Sequence, residues 1–493
     1  MKTISSTIFT ILISTFVSAF LFYSCSKDDP ETETPEEEEM PLRFDPVKDR
    51  IAIKDEFRAA WLTTVGNYDW PPKGATSEAQ QSALIQMIES LKSLNLNVIL
   101  FHVRPTSDAF YNSSIVPWSA YLTGTQGQYP GFDPLQVAID AAHQSGMELH
   151  AWLNPYRIGS TSVELAPSHP AIIHPEWSIV YNNNRYLNPG LPAVKNHLQQ
   201  IVSEIIENYD VDGIHFDDYF YPSGAKSTTN PFGFNDQQTF EMYGSGMTLD
   251  AWREKNVNDM VQTVSQTIRE ADPDLVFGIS PQGKHDNSMT VYANSLTWMQ
   301  NKWIDYLAPQ IYWENVHPTA DFSTVIRFWN NSSYGVPIIP GLAAYKFGDS
   351  QYPSYTLQEL MNQVDITRTL SFMRGNCWFR VVHILGYSLS NYIKNNIYPY
   401  KSLVPKLGSS SAQTPAPPSV VLNNKIISWQ SISGADNYVV YELKRVGKTS
   451  EWSANAVQIN SNTTFEGAKE KNYIVISVKG KERSNFQSVL FIE

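Results

Sequence analysis

The stretch Val211-Asp212-Gly213-Ile214-His215-Phe216-Asp217-Asp218-Tyr219-Phe220-Tyr221-Pro222 decides how the rest of the chain is read. A strand buried on both faces of a parallel sheet should be an almost unbroken apolar run. This one ends in a histidine and two acids, which are costly to bury unless they are paired or belong to a site. Side chains alternate along a strand, so His215 and Asp217 share one face, Phe216 and Asp218 the other. With Asp217 on the inward face, that acid projects into the mouth of the sheet. Asp218 is then expected to turn toward neighbouring loops or a helix N-terminus.

Working outward, the same kind of run recurs. Strand patterns are predicted over 57–65, 97–104, 148–156, 211–221, 275–282, 306–314, 336–345 and 375–384. Helical patterns fall between them at 77–94, 134–145, 194–209, 250–271 and 357–373. Strands alternating with helices over some 345 residues predict an α/β fold, a (β/α)8 TIM-type barrel with enlarged loops. A doubly wound open sheet is the alternative, but no Gly-rich dinucleotide loop follows the first strand. Two long connections, 158–192 and 223–248, leave the carboxyl ends of the third and fourth strands, where barrel enzymes build their sites.

Acids and sugar-compatible side chains collect at those strand ends. Cleaving a glycosidic bond takes two carboxyl groups, one to protonate the leaving oxygen and one to attack or to activate water. Asp217 is the first candidate. Glu314 is the favoured second, because it closes the sixth strand beside aromatics that can raise its pKa by limiting hydration. Asp218 is its rival, and Asp69 and Asp108 stand in reserve. Substrate contacts are expected from His102, Arg104, Asn154, Tyr156, Arg157, His215, Gln310, Tyr312 and Trp313. Arg104 and Arg157 match a carboxylate fork, whether on the enzyme or on the substrate. Trp70, Trp118, Trp313 and Tyr345 are candidate stacking platforms, with core packing the competing use of each.

Other chemistries find little support. His169 and His174 lie five apart without a carboxylate or a third histidine at ligand spacing, so no metal or other cofactor is expected. A Ser-His-Asp triad lacks its Gly-x-Ser-x-Gly elbow. The net charge is −13, and eight of the acids behind it lie between Asp28 and Glu39. The body is therefore only mildly acidic and lacks the basic face of a nucleic-acid binder.

The ends of the chain read differently. Residues 1–25 run from Lys2 through an apolar stretch, Ile4 to Phe22, to Ser24-Cys25. That stretch has the shape of a signal-peptide core, and the serine–cysteine end resembles a lipoprotein signal with Cys25 acylated. A retained transmembrane anchor is the alternative. Residues 26–50 are too charged and Pro-bearing to fold, and read as an acidic tether. The tether resembles the tract of surface-exposed lipoproteins of Gram-negative bacteria, which places the protein in the cell envelope, on the outer membrane. The catalytic domain is assigned to 51–405 and a Ser/Pro-rich linker to 406–418. From 419 to 493 period-two patterns, with Trp429 and Tyr438 as core aromatics, resemble a fibronectin type III sandwich. It is read as a spacer in preference to a sugar-binding module. Cys25 and Cys377 are the only cysteines, and a disulfide between leader and barrel is not expected.

The ordered motifs Phe57-Arg58-Ala59-Ala60-Trp61-Leu62, Phe101-His102-Val103-Arg104-Pro105 and Trp152-Leu153-Asn154-Pro155-Tyr156-Arg157 precede Asp212–Pro222, and Pro309-Gln310-Ile311-Tyr312-Trp313-Glu314 follows. Together they resemble the glycosyl-hydrolase-like 10 family over roughly residues 56–399. The resemblance implies a TIM-type barrel with glycosidase activity, and a substrate in bacterial cell-wall glycan, notably peptidoglycan strands stripped of their peptides. Asp-Gly-Ile-His-Phe-Asp is also similar to the fourth-strand signature of retaining barrel glycosidases, which implies a nucleophile at Asp217. His215 stands where several of those families have arginine. The expected partners are an oligo- or polysaccharide and a membrane reached through the lipid anchor, with the chain a monomer. The competing readings are a surface glycan-binding lipoprotein with an inactive barrel, and a glycosidase for dietary or host polysaccharide.

Overall fold

The computed structural model describes residues 43–493. Eight parallel strands form its centre: β1 (Phe57–Leu62), β2 (Val98–Arg104), β3 (Glu148–Leu153), β4 (Gly213–Phe216), β5 (Val276–Ile279), β6 (Tyr306–Leu307), β7 (Gly341–Leu342) and β8 (Gly375–Trp378). They lie in the order β6-β5-β4-β3-β2-β1-β8-β7. The two ends of that row meet, because Ile339 N donates to Leu307 O at 2.8 Å and Gly341 N to Pro309 O at 2.8 Å. The sheet is thus a closed (β/α)8 barrel. All eight expected strands are present and most are shorter than their apolar runs, because the chain leaves the ladder before the polar residues at their carboxyl ends.

Helices follow the strands: α1 (Ser77–Ser93), α2 (Pro134–Gln144), α3 (Pro192–Asn208), α4 (Leu249–Ala271), α5 (Ser295–Gln300), α6 (Phe322–Asn331), α7 (Leu357–Arg368) and α8 (Tyr387–Tyr392). Thr76, Asp133 and Thr248 cap α1, α2 and α4 by accepting from first-turn N–H groups. Helix α6 has no counterpart among the expected helices. It buries Phe322, Val325, Ile326 and Trp329, a face spaced three and four apart.

Strand alternation sorts the side chains into two layers. Ala60, Leu62, Ile99, Phe101, Leu149, Ala151, Ile214 and Phe216 face the helices, in the large outer core. Phe57, Ala59, Trp61, Val98, Leu100, Trp152, Val276 and Tyr306 fill the barrel interior. Of the two long connections, the first carries a small antiparallel sheet formed by Arg157–Ser160, Ser178–Tyr181 and Asn184–Leu187. The second is pinned to α4 by a buried pair, Arg253 to Asp236 at 2.6 Å.

Beyond the barrel the chain is all-β. A three-stranded sheet (Val420–Asn423, Ile426–Trp429, Thr464–Glu466) packs on a larger sheet built around Asn437–Arg445, Glu451–Asn460 and Lys471–Lys479. Trp429 and Tyr438 meet edge-to-face in the core between them, 5.5 Å apart.

Two domain boundaries move. Arg50–Ile53 pairs in parallel with Glu451–Ala454, so these residues complete the C-terminal sheet and do not begin the barrel. Phe44 and Ile51 pack on that sheet, and Asp49 is paired with Arg445 at 3.2 Å. The acidic tether therefore ends before Phe44, because the few apolar residues beyond it find an unfilled sheet edge. The linker is held as well: Leu407 is buried with the barrel interior, and Ser411 bonds Asp274. The apolar run from Ile4 to Phe22, Cys25 and the acids Asp28–Glu39 lie outside the described residues. Among the described residues no helix is long and apolar enough to cross a membrane.

Candidate active site

A cavity of about 490 Å³ opens at the carboxyl ends of the barrel strands. Asp217 and Asp218, directly after β4, both line it, and among the described residues they are the only acids that do. Asp217 is 3% exposed. Its Oδ2 accepts from Trp152 Nε1 at 3.1 Å and Asn154 Nδ2 at 3.2 Å, and its Oδ1 from the backbone N–H of Tyr219 at 3.2 Å. Asp218 accepts from Gln310 Nε2 at 3.0 Å. Alternation had sent Asp218 away from the mouth. Strand β4 stops at Phe216, so the rule no longer governs the two acids, and the turn brings both carboxyls to one cavity.

Crowding two acids there changes their proton affinity. Burial first, then the charge of Asp218, push the Asp217 carboxyl up to about 8, against the donors that favour its ionised form. Burial also raises Asp218, with the Gln310 amide opposing it. Both carboxyls are thus held above the usual range, and Asp217 keeps its proton in neutral solution.

His102, Asn154, Arg157, Gln310 and Tyr312 also line the cavity. His102 stacks on Trp152 with centroids 3.8 Å apart and planes 6° from parallel. Burial, then the Arg157 charge, hold His102 well below the usual imidazole range, so it is neutral. Arg157 lies over the Tyr219 ring at 5.4 Å. Among the described residues its guanidinium makes no hydrogen bond or ion pair with a side chain.

The other expected site residues are not brought to this cavity. Glu314 follows a sixth strand that ends at Leu307, so it sits in the succeeding loop, away from the acid pair and near Lys346. Trp313 covers Gly283, where a Cβ would lie 2.6 Å from the indole. Arg104 is fully buried behind the site, its Nη1 bonded to the carbonyls of Asn154 and Pro155. Tyr156 is 1% exposed in the outer core. His215 lies just below the cavity, inside the barrel, accepting from Trp61 Nε1 at 3.2 Å. Asp69 is committed to Thr63 and Arg380, and Asp108 to Thr106 and Gln126. Trp70 is core, its indole bonded to Gln80 O. His169 caps a short helix through Ala171 N, and His174 stacks on Trp177.

Sequence reading missed the cavity's aromatic floor: Trp61 at the end of β1, Trp152 in β3, and Phe379 just beyond β8. Trp61 and Trp152 were legible in principle, since both occupy inward positions two residues apart from other inward residues. Tyr68 comes from a loop, Tyr121 from the short helix Ala120–Thr123 and Ser280 from a strand end, none of which carried such a signal.

The protein is thus a closed (β/α)8 barrel with a buried acid pair and an aromatic floor at its carboxyl mouth. The glycosyl hydrolase-like 10 model matches residues 56–356, more than half of the chain, and the protein belongs to that family. It is 33% identical over 454 residues to the glycosyl hydrolase YngK of Bacillus subtilis (strain 168), covering 87% of this chain and 84% of that one. It is 32% identical over 406 residues to the glycosyl hydrolase DigH of Escherichia coli (strain K12), covering 73% and 90%. The solved glycoside hydrolase domain of PgaB (BpsB) from Bordetella bronchiseptica shares 13% identity at a TM-score of 0.46, over 70% of this chain and 99% of that one.

Proposed function

We propose that the chain is a lipid-anchored glycoside hydrolase of the cell envelope that cleaves a peptidoglycan-type or related amino-sugar glycan, with Asp217 and Asp218 as its two carboxylates. The observation that carries the reading is that, among the described residues, these two acids alone line the cavity, with burial raising both carboxyls. Asp217 supplies the proton to the leaving oxygen. Asp218, more open to solvent, in its ionised form stabilises positive charge at the sugar and activates water or a neighbouring substrate group. Trp61, Trp152 and Phe379 line the cavity as aromatic surface for the sugar. The guanidinium of Arg157 is free to take a carboxylate on the glycan, such as the lactyl group of a wall sugar. Anchoring is supported by the apolar run Ile4 to Phe22 and Cys25, and an extracytoplasmic site suits a wall glycan. The C-terminal sheets fit a fibronectin III-like spacer.

The test is release of oligosaccharides from peptide-free peptidoglycan, mucin glycans and plant polysaccharides, followed by mass spectrometry. Asp217→Asn and Asp218→Asn are each expected to lose about 10²–10⁴-fold in rate, whereas Glu314→Gln keeps most of it. Full activity in Asp217→Asn removes that residue from the mechanism. Binding without products in every pool favours an inactive glycan-binding barrel.

A further inference from the structure

Below the cavity floor the otherwise apolar barrel interior holds buried polar groups, which is unusual for a packed barrel core. His150, His215 and Tyr306 form a column along it. The Tyr306 hydroxyl is 2.9 Å from His215 Nδ1 and 2.9 Å from His150 Nδ1. At the lower end His150 Nε2 faces Glu148 at 3.4 Å. At the upper end His215 Nε2 meets Trp61 Nε1 at 3.2 Å and the Ser280 hydroxyl at 3.0 Å. Two strand glycines make room for these rings. A Cβ on Gly278 would lie 1.9 Å from the Tyr306 ring, and one on Gly213 would lie 3.0 Å from His150 Cγ.

The direction of every bond follows from one fact: an indole N–H only donates. Since Trp61 donates to His215 Nε2, that nitrogen carries a lone pair, and the His215 proton resides on Nδ1. His215 therefore donates to Tyr306, whose own proton must go to His150 Nδ1. That leaves the His150 proton on Nε2, directed at the Glu148 carboxylate. Burial, which holds His215 well below the usual imidazole range, agrees with a neutral ring. A column pinned in one direction at its top cannot pass protons to the acid pair. It can only hold an orientation.

We propose that Glu148, His150 and Tyr306 are positioning residues that fix the tautomer of His215 and, through it, lock the Trp61 indole as the sugar-facing floor of the cavity. The idea rests on the glycosidase reading for its sugar, but the lock itself is readable without one. Ring-¹⁵N NMR of the protein is expected to show His215 with bare Nε2 and protonated Nδ1, unchanged between pH 5 and 8, a window about the ordinary histidine pKa. Tyr306→Phe keeps the ring and removes the hydroxyl. It is expected to populate the Nε2–H tautomer and to shift the Trp61 indole N–H resonance. Glu148→Ala, at the far end and outside the packed interior, is expected to shift both signals in the same direction by less. Wild-type His215 protonated on Nε2 overturns the proposal, as do Tyr306→Phe signals identical to the wild type. Where a glycan is hydrolysed, Tyr306→Phe is expected to raise KM about tenfold with a smaller change in kcat. An unchanged KM beside a shifted tautomer overturns the role in the site. If no glycan is hydrolysed by the wild type, the function fails while the tautomer measurements still judge the lock.

Discussion

At the residue scale the proton on Asp217 sets the behaviour of the site. An isolated aspartate ionises near pH 3.9, and in the fold burial and Asp218 move Asp217 up to about 8. Below the lower value both folded and unfolded chains carry the proton, and there is no penalty. Between about 4 and 8 the unfolded chain gives it up while the fold keeps it, so stability falls as pH rises through that window and levels off above it. Asp217→Asn removes this term. Its melting temperature should gain on the wild type as pH rises from about 4 to 8, as followed by circular dichroism, and a constant difference would count against the raised pKa. Arg157 supports a second expectation. Charge-assisted bonds contribute about 1.5–3 kcal/mol, so Arg157→Ala should weaken an anionic glycan roughly 10–100-fold and leave a neutral one nearly unchanged, measured by calorimetry.

At the element scale, alternation located the inward face of β4 but stopped being a guide at its last paired residue. It correctly set His215 inside the barrel and failed for Asp218, because a turn obeys its own dihedrals and not the pleat. Glu314 failed for the same reason: its apolar run continues past β6, which contains only Tyr306 and Leu307. An apolar run records burial, and loops tucked against a core are buried as thoroughly as strands. Gly278 is the element-scale device that sequence reading overlooked. A methyl there overlaps the Tyr306 ring, so Gly278→Ala should cost about 1–3 kcal/mol. A urea midpoint would show it, and no change would mean the column has slack.

At the scale of the whole molecule, the N-terminal strand ties the start of the described chain to the C-terminal sheet. Arg50–Ile53 joins that sheet, Asp49 pairs with Arg445 and Asp55 with Arg483. Asp49→Ala leaves a mostly buried guanidinium short of its partner and should cost about 1–2 kcal/mol. Faster hydrogen exchange in Glu451–Asn460, with the barrel strands unaffected, would localise the effect. Uniform loosening would show that the two regions unfold as one.

The sequence by itself determined the barrel, its eight strands in order, the all-β C-terminal region and the acid-bearing strand end. Those follow from periodicity and from the cost of placing charge on a buried strand, both local properties. Only the tertiary structure decided which acid stands beside Asp217, which indoles form the floor, and that residues 50–53 belong to the far end of the chain. The last two are contacts between segments distant in sequence, fixed by barrel closure and side-chain volume, and the first is set by the turn after Phe216, so no strand pattern encodes them.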